Sequence, residues 1–389
     1  MRRIVCLSLC LLVAASVSLA QQNPKTAEDF YNRGLEKQAR QDFDGALADY
    51  DQALTLKPKK PETIATIYLN RANVRMSKGD MNAALLDLNQ ALAANPREFL
   101  ALYNRGIVRM ELGQLDEAIA DFDATLAIQT NFAMAFNNRG NARKAKGDIE
   151  GAIADYDSAI KNYPEGALGY FNRAAARQDK SELDKALADY TQAITLAPEM
   201  MEAYLNRGIV RQLKRDLDAA IADFNKAVEL KTDDADLYVS RGNALLARGD
   251  TERAIADFTK AIELNPRHAD AYTNRGIARK TKKDSTGALA DFDLAIAANP
   301  RDAVAYVNRG TLREERGDMK GALADFDMAI AVNPSLAQAY ANRGVVRLQQ
   351  GKVEQAEQDF ARAISLDAAL KPSLDKYFAE MKRYRAKKP

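Results

Sequence analysis

The chain has 389 residues, with 56 lysine and arginine residues against 54 aspartate and glutamate residues. A nucleic-acid-binding protein normally carries a clear basic excess, so this balance argues against that class of function. The two cysteines, Cys6 and Cys10, both lie near the N-terminus. The remaining chain therefore cannot form disulfides, thiolate nucleophiles or cysteine metal sites.

The first 20 residues have the pattern of a secretory signal peptide. Arg2 and Arg3 precede an uncharged apolar run, and small residues surround a cleavage point after Ala20. We predict a signal peptide over residues 1–20 and a short linker over residues 21–26. The protein is then exported, to a periplasmic or extracellular location in a bacterium. An uncleaved membrane anchor is the alternative, although the apolar run is short for a membrane span.

Between residues 27 and 370, an Asn-Arg-Gly sequence returns at a nearly constant interval. Eight of the nine intervals between successive arginines are 34 residues, and the first is 38, which places a four-residue insertion near residues 61–64. The ten marker arginines are Arg33, Arg71, Arg105, Arg139, Arg173, Arg207, Arg241, Arg275, Arg309 and Arg343. A strict period of this length predicts one supersecondary unit repeated ten times.

Residues 132–164 show the local structure that one repeat predicts. Apolar or small residues recur three or four positions apart in each half, for example at Phe136 and Gly140 in the first half. This spacing predicts two helices, and Gly147 interrupts it between them. Every repeat has alanine 13 residues after the marker arginine, and nine have an aromatic residue 17 after it, such as Tyr156. These residues are the predicted core between the two helices.

The small residue after the marker arginine, the turn glycine, the alanine, the aromatic residue and a closing proline together resemble the tetratricopeptide repeat family. The resemblance extends over residues 27–370 in ten copies. It implies an all-α fold, a right-handed α-solenoid of ten helix-turn-helix repeats. It also implies that the first helices line a concave groove, which in this family commonly holds a peptide or a partner helix. It does not imply an enzyme.

The chain departs from the family pattern at the marker arginine, where leucine is usual. Four residues later nine repeats carry a second cation and the seventh carries Leu245, and 16 residues after each marker lies an aspartate. A partly buried guanidinium group must be paired, so we predict ion pairs within a repeat or to the next. The representative residues of this structural ladder are Arg105, Arg109, Asp121, Arg139, Arg143, Asp155, Arg207, Arg211 and Asp223. A row of cationic sites for an anionic ligand is the alternative.

The face of each first helix turned away from the core includes the residues two before, two after and five after the marker arginine. The candidate groove residues on this face are Tyr103, Ile107, Met110, Phe171, Gln178, Leu205, Ile209, Gln212, Val239, Asn243 and Leu246. Their largely apolar character suits an amphipathic peptide. The alternative is that they only seal neighbouring repeats. The asparagine before the marker could likewise bind a peptide backbone or hold a neighbouring helix.

Residues 371–389 follow the last repeat and are rich in lysine and arginine. Leu374, Tyr377, Phe378 and Met381 lie at helical spacing, which predicts a capping helix over the tenth repeat. The cations at residues 382–389 suggest a weak contact with an anionic lipid or cell-wall polymer at the cell envelope.

The sequence contains no recognisable catalytic motif. Its one histidine, His268, follows a proline in a turn, where we expect a surface position, and no partner stands at the spacing of a nucleophile-base pair or a metal site. We therefore expect no cofactor, no metal and no enzymatic activity. The predicted function is a scaffold that binds a protein or peptide segment in the concave groove. The alternatives are an envelope-associated assembly factor and an accessory subunit of an enzyme complex.

Overall fold

The computed structural model describes residues 24–386, with side chains as far as residue 381. The predicted signal peptide, residues 21–23 of the linker and the side chains of the basic tail lie outside the described residues. Every regular element in the described part is helical. None of these helices combines the length and the apolar character that crossing a bilayer would require.

Twenty helices form ten consecutive pairs, one pair for each repeat. The pairs are α1 (Ala27–Ala39) with α2 (Phe43–Thr55), α3 (Pro61–Ser77) with α4 (Met81–Ala94), α5 (Phe99–Glu111) with α6 (Leu115–Ile128), α7 (Ala133–Ala145) with α8 (Ile149–Asn162), α9 (Ala167–Asp179) with α10 (Leu183–Leu196), α11 (Met201–Leu213) with α12 (Leu217–Leu230), α13 (Ala235–Arg248) with α14 (Thr251–Leu264), α15 (Ala269–Thr281) with α16 (Ser285–Ala298), α17 (Ala303–Glu315) with α18 (Met319–Val332), and α19 (Ala337–Gln349) with α20 (Val353–Leu366). A short 3-10 turn (Ala368–Leu370) and a final helix, α21 (Lys371–Ala386), follow.

The two helices of a repeat approach closely because small residues face an aromatic ring. The repeated alanine is fully buried in all ten repeats, and the aromatic residue is 0% exposed in eight of them and 6% exposed at Phe360. A Cβ atom added to Gly140 would lie only 2.6 Å from Cε1 of Tyr156. Glycine at this position therefore allows the ring to lie against the backbone of the first helix.

The turn between the two helices uses a left-handed backbone at the same place in all ten repeats, eight residues after the marker arginine. Six repeats have glycine there. The other four adopt the same conformation with a side chain, with φ of 62° at Gln41, 61° at Ser181 and 65° at both Arg215 and Lys283. The geometry of the turn thus overrides the ordinary preference of these residues for negative φ.

The four-residue insertion in the second repeat lengthens a helix. Helix α3 begins at Pro61 and has 17 residues, whereas α5 has 13. Four residues add about one turn to an α-helix. The helix therefore extends at its N-terminal end, where proline is well tolerated because the first amides of a helix have no partner within it.

The described residues group into two compact units, the first ending at Pro198 and the second beginning at Glu199. Within each unit, consecutive helices pack on one another, and first helices of successive repeats also meet, for example α7 with α9 and α13 with α15. In the described part of the chain, successive second helices share no comparable contact. The first helices are thus more closely spaced, and they form the inner, concave side of each unit.

Helix α21 packs its apolar stripe on the tenth repeat. Leu374 is buried, and Tyr377, Phe378 and Met381 pack against the same cluster. The rings of Phe360 and Phe378 lie edge to face with centroids 6.2 Å apart. This helix covers the apolar end that the last repeat would otherwise expose to water.

Candidate functional site

In every repeat the marker arginine donates at least two hydrogen bonds to the aspartate 16 residues later. In the fifth repeat, Nη2 of Arg173 donates to Oδ1 of Asp189 at 2.6 Å, and Nε donates to Oδ2 at 2.9 Å. The second cation, Arg177, donates from Nη1 to Oδ2 of the same aspartate at 2.6 Å. The side chain of Asp189 is only 6% exposed. One buried carboxylate is thus shared by two guanidinium groups.

The same geometry brings together the predicted ladder residues of three further repeats. Asp121 receives hydrogen bonds from Arg105 and Arg109. The equivalent groups are Asp155 with Arg139 and Arg143, and Asp223 with Arg207 and Arg211. The seventh repeat has Leu245 in place of the second cation, and there Asp257 is held by Arg241.

A second partner, which was not predicted from the sequence, links most of the marker arginines to the preceding repeat. Nη1 of Arg173 donates to Oδ1 of Asp157 at 2.6 Å, and Asp157 lies on the second helix of the fourth repeat. Arg309 and Arg343 make the same bond to an aspartate, and Arg105 and Arg241 make it to an asparagine. The repeating polar residue 18 positions after the marker is the signal that could have indicated this bond.

Each marker arginine, except Arg105, also lies over an aromatic ring three residues earlier. The distance from Cζ of Arg173 to the ring centroid of Tyr170 is 5.5 Å. Burial by itself lowers the pKa of Arg173, but the hydrogen bonds that it donates to Asp189 and Asp157 outweigh this effect and raise the pKa above its usual value. These contacts occupy the guanidinium group within the protein, which favours the structural role over a row of anion-binding sites.

The asparagine before the marker arginine connects neighbouring first helices. Nδ2 of Asn104 donates to Oδ1 of Asn73 at 2.7 Å, and Nδ2 of Asn138 donates to the hydroxyl of Tyr103 at 2.9 Å. In the second compact unit, Asn342 makes the equivalent bond to Thr311 at 3.0 Å. These bonds run across the concave side, so the asparagine side chains both hold the helices and lie beside the groove.

The candidate groove residues of the first compact unit are half-buried rather than free. The ring of Tyr103 lies 4.9 Å from the ring of Phe132, and Ile107 and Met110 are partly covered on the same helix. Phe171 lies 5.8 Å from the ring of Tyr190. Gln178 accepts a hydrogen bond from the hydroxyl of Tyr190 at 3.0 Å. Each residue therefore has a packing role and, in its exposed part, a surface on the inner side.

The candidates in the second compact unit are packed more tightly. Leu205, Ile209 and Leu246 lie against a large buried cluster, and Val239 is only 9% exposed. Gln212 is half-buried, and Oδ1 of Asn243 accepts a hydrogen bond from Asn274 at 2.9 Å. In the tenth repeat the equivalent residue Leu348 is 0% exposed, in the cluster that α21 covers. In the tenth repeat this position therefore only seals neighbouring helices against each other.

A pocket of about 210 Å³ opens on the inner side of the second compact unit. Its polar lining comes from Asn243 on α13, from Asp270, Thr273 and Asn274 on α15, and from Asp302 at the start of α17. Val239 and Val304 supply the apolar walls. Only Val239 and Asn243 were among the predicted groove residues. The position five residues before the marker arginine continues the same helical stripe but was not among the predicted groove positions.

His268 lies beside this region with a structural role. It is the N-cap residue of α15, where Nδ1 accepts a hydrogen bond from the amide of Ala271 at 3.4 Å, and Nε2 lies 2.9 Å from Oδ1 of Asp236. Its side chain is 11% exposed, so the expectation of a surface position was wrong. The cap and the carboxylate explain its burial. Among residues 24–386 no cluster of three or more histidine, cysteine or acidic side chains has the geometry to hold a metal.

The helical repeats and the row of first helices on the inner side define the class of protein. It is an α-helical repeat protein with an extended inner surface. A family model for the tetratricopeptide repeat matches residues 69–131, 137–177, 171–235, 239–303 and 307–372. The chain therefore belongs to the tetratricopeptide repeat family. This family is built for protein–protein interaction, and its members generally have no enzymatic activity.

Solved structures with TM-scores above 0.5 share this fold. A tetratricopeptide repeat protein from Parabacteroides merdae is 21% identical, with a TM-score of 0.52 over 65% of this chain and 98% of its own. The Cut9–Hcn1 structure of the APC/C is 13% identical, with a TM-score of 0.53 over 91% of this chain and 76% of that chain. YrrB, described as having an unusual peptide-binding site, is 26% identical over 51% of this chain and 98% of its own, with a TM-score of 0.40. Among curated protein sequences none matches this chain.

Proposed function

We propose that this protein is an exported, non-enzymatic scaffold that holds a peptide or protein segment along the concave row of first helices. The observation that carries this proposal is the apolar surface that remains on the row after the repeats have packed. At the position five residues before the marker arginine, Leu100 is 37% exposed, Leu168 is 55% exposed and Val304 is 48% exposed. These residues continue the stripe that contains the half-buried candidates.

This arrangement suits an amphipathic segment for a physical reason. Exposed leucine and valine gain free energy when a partner removes them from water, at about 25 cal/mol per Å² of apolar surface. The neighbouring asparagines, such as Asn104 and Asn138, have amide oxygens that can accept hydrogen bonds from a partner. An apolar face with interspersed amides matches the helix-in-groove and extended-peptide modes of recognition.

A matched pair of substitutions tests the groove. Leu168 on α9 is 55% exposed on the inner side, and Leu86 on α4, a second helix, is 65% exposed away from that row. Partners captured from the native cell envelope by the chain without residues 1–20 are compared with those captured by Leu168→Glu and Leu86→Glu. We expect Leu168→Glu to lose partners that Leu86→Glu retains. The same partner set from all three proteins would contradict the proposal.

Export is supported by the N-terminal pattern and by the position of both cysteines within it. The test is to express the full chain with a C-terminal tag in a bacterium and to determine the N-terminal residue of the fractionated protein. We expect cleavage after Ala20 and recovery outside the cytoplasm. An intact Met1 in the membrane fraction would support the anchor alternative, and an intact Met1 in the cytoplasm would contradict export.

A second candidate function is contact with an anionic envelope surface through residues 382–389. It is favoured by the composition of the last part of α21, a helix that extends to Ala386. Lys382, Arg383 and Arg385 lie in this part of the helix. Envelope binding that weakens with salt and disappears on removal of residues 382–389 would support this function. Binding that is insensitive to both changes would support the groove.

A further inference from the structure

We propose that the pocket lined by α13, α15 and α17 binds the ammonium or guanidinium group of a lysine or arginine side chain in the bound segment. This inference rests on the proposed peptide-binding function and adds the chemical class of residue that the second compact unit selects. Three first helices contribute to the pocket, so it lies directly on the inner row.

The hydrogen-bonding groups of the pocket favour a donor as the ligand. The hydroxyl of Thr273 donates to Oδ2 of Asp302 at 2.7 Å, and Nδ2 of Asn274 donates to Oδ1 of Asn243 at 2.9 Å. The amide oxygen of Asn274 and the carboxylate of Asp270 remain as acceptors, against Nδ2 of Asn243 as a remaining donor group, so acceptors predominate in the pocket. Lysine and arginine side chains carry three and five donor hydrogens and no acceptor.

The charge of the pocket points to the same class of ligand. Asp270 is exposed and lines the pocket, and it makes no ion pair with any residue that the structure describes. On the same helix, Nζ of Lys280 pairs with Glu315, at 2.8 Å from its Oε1, and the ring of His268 lies against Asp236. A carboxylate without a partner at the entrance of a polar pocket attracts a cation and repels an acidic side chain.

The start of α17 is also closed to an anionic ligand. The first amides of a helix attract anions when they are free. Here Oδ1 of Asp302 accepts hydrogen bonds from the amides of Val304 and Ala305, both at 3.0 Å. The carboxylate of Asp302 therefore occupies the position that an external anion would take.

The size and walls of the pocket match one long side chain. The pocket has a volume of about 210 Å³ and is open to solvent. This space is too small for a helix and sufficient for the end of one residue. Val239 and Val304 can contact the aliphatic stem while the charged end meets Asp270, which is the usual way that lysine and arginine bind at partly apolar surfaces.

The experiment is a positional-scanning peptide library, presented to the chain without residues 1–20 and to two variants. Asp270→Asn removes the pocket carboxylate, and Glu202→Gln makes the same charge change at the equivalent exposed position of the sixth repeat. We expect the unaltered protein and Glu202→Gln to enrich lysine or arginine at one peptide position. Asp270→Asn should lose this enrichment and bind the selected peptides at least tenfold more weakly, with binding of uncharged peptides unchanged.

The outcomes separate this inference from the proposed function. Peptide binding without a basic preference, or a preference that Asp270→Asn leaves intact, would overturn the inference and leave the scaffold function standing. Absence of any peptide binding would overturn both. Circular dichroism of each variant confirms folding, and because Asp270 is exposed its replacement by asparagine is not expected to disturb the helix.

Discussion

Arg173 and Asp189 are joined by two parallel hydrogen bonds, from Nη2 to Oδ1 at 2.6 Å and from Nε to Oδ2 at 2.9 Å. The aspartate lies on the second helix of the repeat and the arginine on the first. The pair therefore links the two helices of one repeat, and a third bond from Arg173 to Asp157 links that repeat to the preceding one. Rigid fork geometry makes arginine suited to this dual role.

The buried carboxylate should matter far more to stability than the exposed one. Asp189→Asn leaves two guanidinium groups without their buried counter-charge, and we expect a loss of about 3 kcal/mol. Asp157→Asn changes a side chain that is 52% exposed, and a loss below about 1 kcal/mol is expected. Hydrogen exchange of the α9 and α10 amides measures both losses of stability. Equal effects of the two substitutions would contradict the buried role of Asp189.

The left-handed turn predicts a stabilising substitution. Lys283 has φ of 65°, and the same turn position in six other repeats is glycine. Lys283→Gly removes the steric cost of this conformation, and after the entropic cost of glycine we expect a gain of about 0.5–1 kcal/mol. Lys282→Gly is the control, because Lys282 has φ of −79° and should give no gain. Thermal unfolding of both variants provides the measurement.

The final helix should protect the tenth repeat. Leu374 is 7% exposed within the cluster that includes Leu348 and Phe360. Leu374→Ala leaves a cavity there, with an expected cost of about 3 kcal/mol. Because repeat proteins gain stability mainly from adjacent repeats, the loss of hydrogen-exchange protection should concentrate in α19 to α21. Lys376→Ala, at an exposed position of the same helix, should have little effect. Uniform loss over the second compact unit would contradict local capping.

The environment of Glu314 predicts that the stability of the protein depends on pH. Burial raises the pKa of this carboxyl, and the hydrogen bond from Gln349 only partly offsets it. The pKa in the folded state therefore lies above the unfolded value of about 4.3. The protonated carboxyl stabilises the folded state fully below the unfolded pKa, and this stabilisation is lost as the pH rises through the folded pKa. Glu314→Gln keeps an oxygen acceptor for Nε2 of Gln349. We expect it to raise the melting temperature at pH 7.

The control for this prediction is the pH series itself, together with a neighbouring substitution. At pH 4 both Glu314 and its glutamine replacement are uncharged for most of the time, so the difference in melting temperature should shrink. Glu315→Gln changes a side chain that is 51% exposed and pairs with Lys280. It should show no stabilisation at pH 7. A Glu314→Gln effect that is independent of pH would contradict the burial argument.

The sequence by itself determines the repeat and the contacts within it. The interval between marker arginines shows ten hairpins, and the alanine and aromatic positions identify the core. Residues about 16 positions apart, such as Gly140 and Tyr156, meet when the two helices of a hairpin pair. The partner of Arg173 within its repeat could be predicted in the same way, since Asp189 lies at a fixed offset. The four left-handed turn residues without glycine carry no such signal, because a lysine or serine there has no local preference for positive φ.

The tertiary structure decides what lies between repeats. The bond from Arg173 to Asp157, the covering of Leu348 by α21 and the pocket around Asp270 all join residues of neighbouring repeats. Their positions depend on how one hairpin rotates and shifts against the next. That rotation is the sum of many small packing contacts and appears in no short-range pattern. The structure of each helix pair therefore follows from the period of the sequence, whereas the surface that a partner meets follows from how the repeats stack on one another.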